Sequence, residues 1–175
     1  MQSQIIVGNL MPKQWKEYRD IWLEALQQAP EAFSASYEEQ KKVSDSEWKE
    51  RFESVYFERG GIVVFARIGN NPIGFVGAYF EENIKFRHVA TIWGAYVKPE
   101  YRKQGFARDM VNEILRKLKA LPHLKKVKTY AITNGNLAVN VYKEFGFEII
   151  GIFKQELFTK DIYYDVYCME KFLSL

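Results

Sequence analysis

The sequence predicts one α+β domain spanning residues 1–175, with a mixed, largely antiparallel central sheet flanked by helices. Two observations support this class: helical and strand-like segments occur in blocks rather than in strict alternation, and one apolar strand leads directly into an amphipathic helix. The predicted order of elements is β-α-α-β-β-β-α-β-α-β-β. At 175 residues the chain is long enough to bury a sizeable core.

The N-terminal part of the chain predicts a strand followed by a helix. An apolar run at 5–7 fits a short first strand. Residues 12–28 place apolar side chains on one helical face, and Pro12 suits a first helical turn, where a missing N–H costs nothing. Pro30 ends this helix. Residues 31–39 have no clean period, so we expect a loop there.

A second helix and a hairpin come next. Ser44 and Glu47 form a capping box, in which each side chain can satisfy a free backbone donor of the other residue. Two glycines at 60–61 end the helix. The strand-like runs 62–68 and 73–80 enclose a Gly-Asn-Asn-Pro turn and predict a β-hairpin. The buried stripe of the second helix is expected to consist of Trp48, Phe52, Val55 and Tyr56.

The centre of the chain predicts a strand, a tight basic turn and a helix. Residues 89–97 are apolar on both faces, as in a strand buried inside a sheet, and Pro99 ends that strand. A basic turn at 102–107 leads into a helix at about 105–120. The apolar residues of this helix recur at helical spacing: Phe106, Met110, Val111, Ile114, Leu115 and Leu118.

Four shorter elements complete the predicted fold. Alternating side chains predict a strand at 126–131, and a short helix is expected at about 137–145. Gly146 ends that helix, as glycine commonly does just past a helix C-terminus. The last two strands are expected at 148–153 and 162–170.

The turn at 102–107 has the features of an anion-binding site. The first N–H groups of a helix have no partner within the helix, and the helix dipole adds partial positive charge there. Gly105 has no Cβ, so a phosphate or pyrophosphate can approach the backbone. Arg102, Lys103 and Arg108 add full charges. An ordinary strand-to-helix connection with a solvated basic rim has the same spacing, so the turn alone leaves both interpretations open.

Two sequence blocks resemble the GNAT superfamily of N-acetyltransferases. Arg102-x-x-Gly105-x-Ala107, directly after the strand, resembles the superfamily's acetyl-coenzyme A signature, Gln/Arg-x-x-Gly-x-Gly/Ala. Residues 134–147 resemble its Asn…Ala…Leu-Tyr-Glu-Lys-x-Gly-Phe block. Both blocks come in the family's order and at about its separation. The resemblance covers essentially the whole chain and implies a GNAT-like fold with acetyl-coenzyme A as cosubstrate.

The resemblance assigns the cofactor contacts to two backbone segments. It implies that the diphosphate lies against N–H groups of the turn, and that the pantetheine arm pairs with the central strand like an additional strand. One N–H of that strand would polarise the thioester carbonyl. The turn residues are Gln104, Gly105, Phe106 and Ala107, with Arg102, Lys103 and Arg108 around them. The strand residues are Ala95, Tyr96 and Val97.

Tyr142 is the candidate general acid. By resemblance it aligns with a tyrosine that protonates coenzyme A in many family members, and a phenol with a pKa near 10 suits a thiol near 8.5. The alternative is a helix tyrosine half-buried against Phe145. Asn136 aligns best with the family's cofactor-contacting asparagine. It lies six positions before Tyr142, where seven are usual, so Asn134 is a rival.

The general base and the acceptor site are less defined. Glu81, Glu82 and His88 are base candidates, each of which could equally be a solvated surface group, and no base is assigned. We expect the acceptor pocket between the first two helices and the last hairpin. Aromatic candidates to line it are Phe33, Tyr37, Tyr79, Trp93 and Tyr163. Acidic residues that could attract a cationic amine are Glu38, Glu39, Glu81, Glu82 and Asp165.

Composition narrows the class of protein. A net charge of +3 does not indicate a dedicated nucleic-acid binder. One cysteine, Cys168, excludes an internal disulfide and suits a reducing compartment. The sequence has neither a signal-peptide pattern nor an apolar run of membrane-spanning length. We expect a cytoplasmic protein with no metal, nucleic-acid or membrane partner, and the aromatic-rich last strand leaves a homodimer open.

The sequence therefore predicts an enzyme that transfers an acetyl group from acetyl-coenzyme A to a primary amine of a small molecule (an amine, polyamine or amino-acid-like compound). We expect direct attack in a ternary complex, because Cys168 lies within a strand pattern and is a poor acyl-enzyme nucleophile. Two alternatives stay open: a protein or peptide N-terminal acetyltransferase, and a non-catalytic acyl-coenzyme A-binding module of the same fold.

Overall fold

The computed structural model describes residues 5–10, 12–53, 61–134 and 137–173. Its seven strands are β1 (Ile5–Gly8), β2 (Ile62–Ile68), β3 (Asn71–Phe80), β4 (Val89–Val97), β5 (Lys126–Ile132), β6 (Glu148–Thr159) and β7 (Ile162–Phe172). They form one sheet in the order β1-β2-β3-β4-β5-β7-β6. Every neighbouring pair is antiparallel except β4 and β5, which are parallel. The predicted α+β class with a largely antiparallel sheet is confirmed.

The helices match the prediction with one addition. They are α1 (Trp15–Gln28), α2 (Tyr37–Gln40), α3 (Asp45–Glu53), α4 (Phe106–Lys119) and α5 (Leu137–Glu144). The prediction of an unbroken loop at 31–39 is wrong, because the single turn of α2 begins within it. A four-residue helix is too short to show a helical period in sequence. The expected stripe residues Val55 and Tyr56 lie outside the described residues.

Helices cover both faces of the sheet and enclose two apolar cores. On one face, α4 buries all six of its predicted apolar residues against the sheet, and α5 adds Val139 and Tyr142. On the other face, α1 and α3 build an aromatic-rich core with β2, β3 and β4. The sheet is therefore held between two helical layers, and each layer can carry part of a site.

The parallel strands β4 and β5 separate after half of their length. Their register runs from Val89 opposite Lys126 to Ile92 opposite Thr129 and then stops. The separation coincides with a bulge in β4, where the register with β3 shifts between Phe75 and Gly77 and Gly94 has a φ of 68°. A bulge bends its strand, and glycine adopts this φ without cost. We call the opening between residues 93–97 and residues 130–132 the fork.

The last hairpin is longer than predicted. β6 continues to Thr159, six residues beyond the expected end at Phe153. The polar run 154–156 hides this continuation in the sequence, because these residues lie in a second bulge, at a register shift between Phe153 and Leu157. The two-residue turn of Lys160 and Asp161 then joins β6 to β7. We call residues 157–160 the hairpin tip.

Candidate active site

The fork leaves one edge of β4 without a strand partner. After Ile92, no described residue of β5 pairs with β4, although β4 continues to Val97. The predicted strand residues Ala95, Tyr96 and Val97 all lie in this segment. An unpaired strand edge offers N–H and C=O groups to any extended ligand. The structure thus places the predicted pantetheine-binding residues where an additional strand would fit.

Arg102 contacts the strand rather than standing free in the turn. Its Nε donates a hydrogen bond of 2.9 Å to the carbonyl oxygen of Val97. Its guanidinium carbon lies 6.0 Å from the centre of the Tyr96 ring, within the range of a cation–π contact. Arg102 therefore ties the basic turn to the end of β4.

The start of α4 is open to a large anion. Gly105 lies directly before the helix with a φ of 92°, and a Cβ built on it would meet no heavy atom within 4 Å. Lys103 also has a positive φ, 61°. The N–H groups of Phe106, Ala107 and Arg108 belong to the first helical turn and have no acceptor within the helix. This open turn fits a diphosphate group.

The basic side chains of the turn differ in their partners. Arg108 pairs with Glu144 of α5 at 2.6 Å, but both side chains are exposed, and such pairs contribute only about 0–1 kcal/mol. Lys103 is exposed and forms no ion pair with any described residue. The Gln104 side chain donates to the carbonyl oxygen of Glu100 at 3.2 Å. An incoming anion can therefore recruit Lys103 without breaking a contact.

Tyr142 is buried, but its hydroxyl reaches the apex of the fork. Its exposed fraction is 3%, and its ring packs against Phe147, not Phe145, with 5.3 Å between ring centres. The Thr129 hydroxyl donates to the carbonyl oxygen of Ile92 at 3.2 Å, and the Tyr142 hydroxyl interacts with the same Thr129 side chain. Ile92 and Thr129 are the last paired residues before β4 and β5 separate.

The environment of Tyr142 favours the protonated phenol. Burial raises its pKa to about 12, although the hydrogen bond with Thr129 opposes the shift. A thiol has a pKa near 8.5, so full proton transfer from this phenol to a thiolate would be uphill by several pKa units. Donation of a hydrogen bond to sulfur has no such cost. In this state Tyr142 is suited to donate a hydrogen bond rather than its proton.

The base candidates differ in their distance from the fork. His88 is exposed and lies four residues before Ile92, about 13 Å from the apex at a rise of about 3.3 Å per residue. Glu82 is also exposed, and Glu81 lies 3.9 Å from Lys128. None is positioned by the structure as a base. Asn134 is exposed, and Asn136 lies outside the described residues, so the choice between the two asparagines stays a prediction.

A cavity of about 320 Å³ lies where the acceptor pocket was expected. One wall comes from the end of α1 and residues 30–38, and the other from the hairpin tip. Of the five aromatic candidates, only Phe33 and Tyr37 line it; Tyr79, Trp93 and Tyr163 do not. The lining residues are Leu26, Gln27, Pro30, Phe33, Ser34, Ala35, Ser36, Tyr37, Glu38, Leu157, Phe158, Thr159 and Lys160.

Phe33 connects this cavity to the fork. Its ring lies 5.4 Å from that of Trp22 and 6.5 Å from that of Tyr96, centre to centre. A Cβ added to Gly94 would lie 3.4 Å from the Phe33 ring and 3.1 Å from the Phe75 ring. The bulge of β4 therefore packs directly against a wall of the cavity.

Glu24 of α1 is a site residue that the sequence analysis missed. The Tyr96 hydroxyl donates to one Glu24 carboxylate oxygen at 3.1 Å, and the Lys98 ammonium lies 2.9 Å from the other. Burial, and then the Glu24 charge, raise the pKa of Tyr96. Tyr96 and Lys98 are two positions apart at the end of β4, which was the available signal, but their partner on α1 appears only once the chain is folded.

The sheet opens beside an exposed helix start and next to a cavity. This arrangement has room for a phosphate-bearing acyl donor and a second substrate, as an acyltransferase requires. Residues 15–147, well over half of the chain, match the Acetyltransferase (GNAT) family, and the chain belongs to that family. The predicted enzyme class, an acetyl-coenzyme A-dependent N-acetyltransferase, is confirmed.

Three similarities extend this finding. The chain is 26% identical over 129 residues to the L-amino acid N-acetyltransferase AaaT of Escherichia coli (strain K12), covering 73% of this chain and 76% of that protein. Its fold resembles an acetyltransferase of the GNAT family from Streptococcus pneumoniae, with TM-score 0.86, 18% identity and coverage of 98% and 100%. It also resembles yncA of Salmonella typhimurium, solved with its cofactor acetyl-CoA, with TM-score 0.83, 12% identity and coverage of 97% and 94%.

Two further findings concern the described part of the chain. None of its helices has the length and apolar character needed to cross a membrane. It also contains no group of three or more His, Cys, Asp or Glu residues arranged to hold a metal ion.

Proposed function

We propose that this N-acetyltransferase acetylates the primary amine of a small molecule by direct attack in a ternary complex. The cavity of about 320 Å³ beside the β4 bulge carries this proposal. Its volume is in the range of small-molecule sites, and it has a wall on each side, one from residues 30–38 and one from the hairpin tip. A polypeptide acceptor would instead favour a groove that lets the chain continue past the reacting amine.

The proposed donor site combines the helix start with the fork. Acetyl-coenzyme A, when bound, supplies an acetyl group activated as a thioester. The N–H groups of residues 104–107 are suited to its diphosphate, and Lys103 and Arg108 to the remaining negative charge. On the free edge of β4, Ala95, Tyr96 and Val97 offer backbone groups for the pantetheine arm and for the thioester carbonyl. Arg102 positions Val97, and Asn136 or Asn134 is the proposed asparagine contact.

Tyr142 is proposed to act from the apex of the fork. As the C–N bond forms and the C–S bond breaks, the amine loses a proton and the leaving sulfur must gain one. A phenol with a pKa of about 12 stays protonated at neutral pH. It can stabilise the negative charge on sulfur through a hydrogen bond, which is worth more in a buried site than in water. The proton that sulfur gains then comes from the amine or from solvent.

A binding and turnover experiment tests the proposal in two steps. We expect calorimetric titration of acetyl-coenzyme A to show saturable one-to-one binding that desulfo-coenzyme A displaces; a folded protein that does not bind would remove the donor site. Thiol release is then followed over matched panels of small amines and of peptides with free N-termini. Faster release with small amines supports the proposal, whereas faster release with peptides would establish the protein-directed alternative.

A further inference from the structure

Lys160 occupies a backbone position that rarely holds lysine. It and Asp161 form the two-residue turn between β6 and β7, with φ values of 51° and 59°. Such turns favour Asn-Gly, because both residues need positive φ, and a residue with a long side chain is uncommon there. Backbone strain of this kind is often retained where the side chain has a function.

The same residue brings an exposed positive charge to the wall of the cavity that the hairpin tip forms. Lys160 lines the cavity next to Phe158 and Thr159. Among the lining residues described, the other charged one is Glu38, which already pairs with Lys41 at 2.5 Å. Lys160 itself forms no ion pair with the described residues. The cavity therefore presents one positive charge that the protein leaves without a partner.

Most of the remaining lining is apolar. Leu26 and Phe33 contribute to one wall and Leu157 and Phe158 to the other, so a matching ligand has an apolar body between its polar ends. One end must be the amine, which has to reach the fork beside Phe33. The other end meets the hairpin tip, where a negative group would complement the Lys160 ammonium.

We propose that the acceptor is an amino carboxylate with an apolar side chain, and that Lys160 binds its carboxylate. This inference rests on the proposed function, because it assigns the cavity to the acceptor. It makes the hairpin tip a determinant of specificity, because an amine without a carboxylate would leave the Lys160 ammonium without an ionic partner.

Three acceptors that differ mainly at the carboxylate test this site: L-phenylalanine, L-phenylalaninamide and 2-phenylethylamine. We expect wild-type kcat/KM to be about 10-fold or more higher for phenylalanine, the size of one charge-assisted hydrogen bond. Lys160→Met should lower the value for phenylalanine by about that factor and leave the other two unchanged. Comparing each acceptor between variant and wild type cancels the different pKa values of the three amines.

Further variants separate the charge of Lys160 from its backbone strain. Lys160→Arg keeps the charge and should retain the preference for phenylalanine. Lys160→Asn relaxes the turn and removes the charge, so we expect a higher Tm together with loss of the preference. Lys154→Met, which removes a lysine of the same hairpin outside the cavity, is the matched control and should leave the preference intact.

Each result decides the inference. If Lys160→Met changes kcat/KM equally for all three acceptors, or for none, the carboxylate site is wrong although small-molecule acetylation stands. If no small amine is acetylated, the proposed function itself fails. The carboxylate site is then judged by calorimetric titration of N-acetylphenylalanine in the presence of coenzyme A. Binding that Lys160→Met weakens about 10-fold supports the site, and equal or absent binding overturns it.

Discussion

The proposed donor side and the proposed acceptor side of this enzyme are built in different ways. Apart from Tyr142 and the asparagine contact, the proposed donor side is one continuous stretch, residues 95–108, in which a strand end, a turn and a helix start follow one another. The acceptor side joins residues 26–38 to residues 157–160, which meet only in the folded chain. A contiguous site can keep its chemistry while the rest of the protein changes. A site assembled from two distant segments changes whenever either of them does.

The largest expected effect comes from closing the donor turn. Gly105→Glu places a side chain at a φ of 92° and a negative charge where the diphosphate is proposed to bind. We expect acetyl-coenzyme A affinity to fall by about 100-fold or more, since a charged hydrogen-bonding site becomes a repulsive one. Calorimetry measures this change, and unchanged affinity would disprove the site.

Gly69→Glu is the matched control for that variant. Gly69 also has a positive φ, 59°, and an open surrounding, but it lies in the turn between β2 and β3. It should show a similar loss of stability with no loss of cofactor affinity. An equal loss of affinity in both variants would mean that backbone strain, and not the site, explains the effect.

Gly94→Ala tests the point where the two sides touch. The added Cβ meets the Phe75 ring at 3.1 Å and the Phe33 ring at 3.4 Å, at a φ of 68°. We expect the free energy of unfolding to fall by about 1–2 kcal/mol from the left-handed backbone alone. Because Phe33 also lines the cavity, KM should rise for both substrates. A rise for acetyl-coenzyme A alone would show that the bulge serves only the donor side.

Tyr142→Phe should affect turnover rather than binding. We expect kcat to fall about 10-fold, as for the loss of one hydrogen bond in the transition state, with little change in acetyl-coenzyme A affinity. Steady-state kinetics and calorimetry give the two values. An unaffected rate between pH 6 and 10 would remove Tyr142 from the mechanism.

Tyr142→Phe should also change how the free energy of unfolding depends on pH. The pKa of Tyr142 rises from a usual value near 10 to about 12 on folding. The contribution of the protonated phenol to folding stability is therefore complete below pH 10 and is lost as the pH rises through 12. Between these values the free energy of unfolding should fall by up to about 1.4 kcal/mol per pH unit more in wild type than in Tyr142→Phe. Denaturant titrations at pH 9–12 measure the difference, and equal slopes would contradict burial of the phenol.

The smallest expected effect concerns Glu24, which ties α1 to the donor strand. Glu24→Gln keeps an acceptor for the Tyr96 hydroxyl but loses the ion pair with Lys98. We expect stability to change by less than about 1 kcal/mol and KM for acetyl-coenzyme A to rise by about 2-fold to 3-fold. Glu24→Ala also leaves the buried Tyr96 hydroxyl unpaired and should cost about 1–3 kcal/mol. Equal stability of the two variants would show that the hydrogen bond contributes nothing.

The strand, turn and helix of the proposed donor side could be predicted from the sequence because their determinants are local. Glycine at 105, the basic residues around it and the apolar stripe of α4 all lie within one strand–turn–helix unit. The apolar strand patterns and the hairpin at 62–80 likewise predicted most of the strands of the sheet. The bulge at Gly94 has a sequence signal, a glycine inside an apolar strand, and could have been predicted.

Most residues of the proposed acceptor side escaped prediction, because their contacts are tertiary. Trp93 and Tyr163 are aromatic like Phe33 and Tyr37, yet only the fold decides which of them face the cavity. The partnership of Glu24 with Tyr96 and Lys98 joins α1 to the end of β4, and α2, α3, β2 and β3 lie between them in the sequence. The continuation of β6 through residues 154–156 depends on a bulge that polar side chains conceal. Lys160 became informative only when its φ was known.

The fork also has a consequence for how the molecule unfolds. Among the described residues, the strand pairing between β4 and β5 runs only from Val89 to Ile92, so the blocks β1–β4 and β5–β7–β6 of the sheet meet along a short seam. Amide protons of β5 that face the fork past Thr129 have no strand partner there, so they should exchange with solvent faster than those of β3. A ligand lying in the fork as an extra strand would close the seam, and both blocks would then open and unfold together as one cooperative unit.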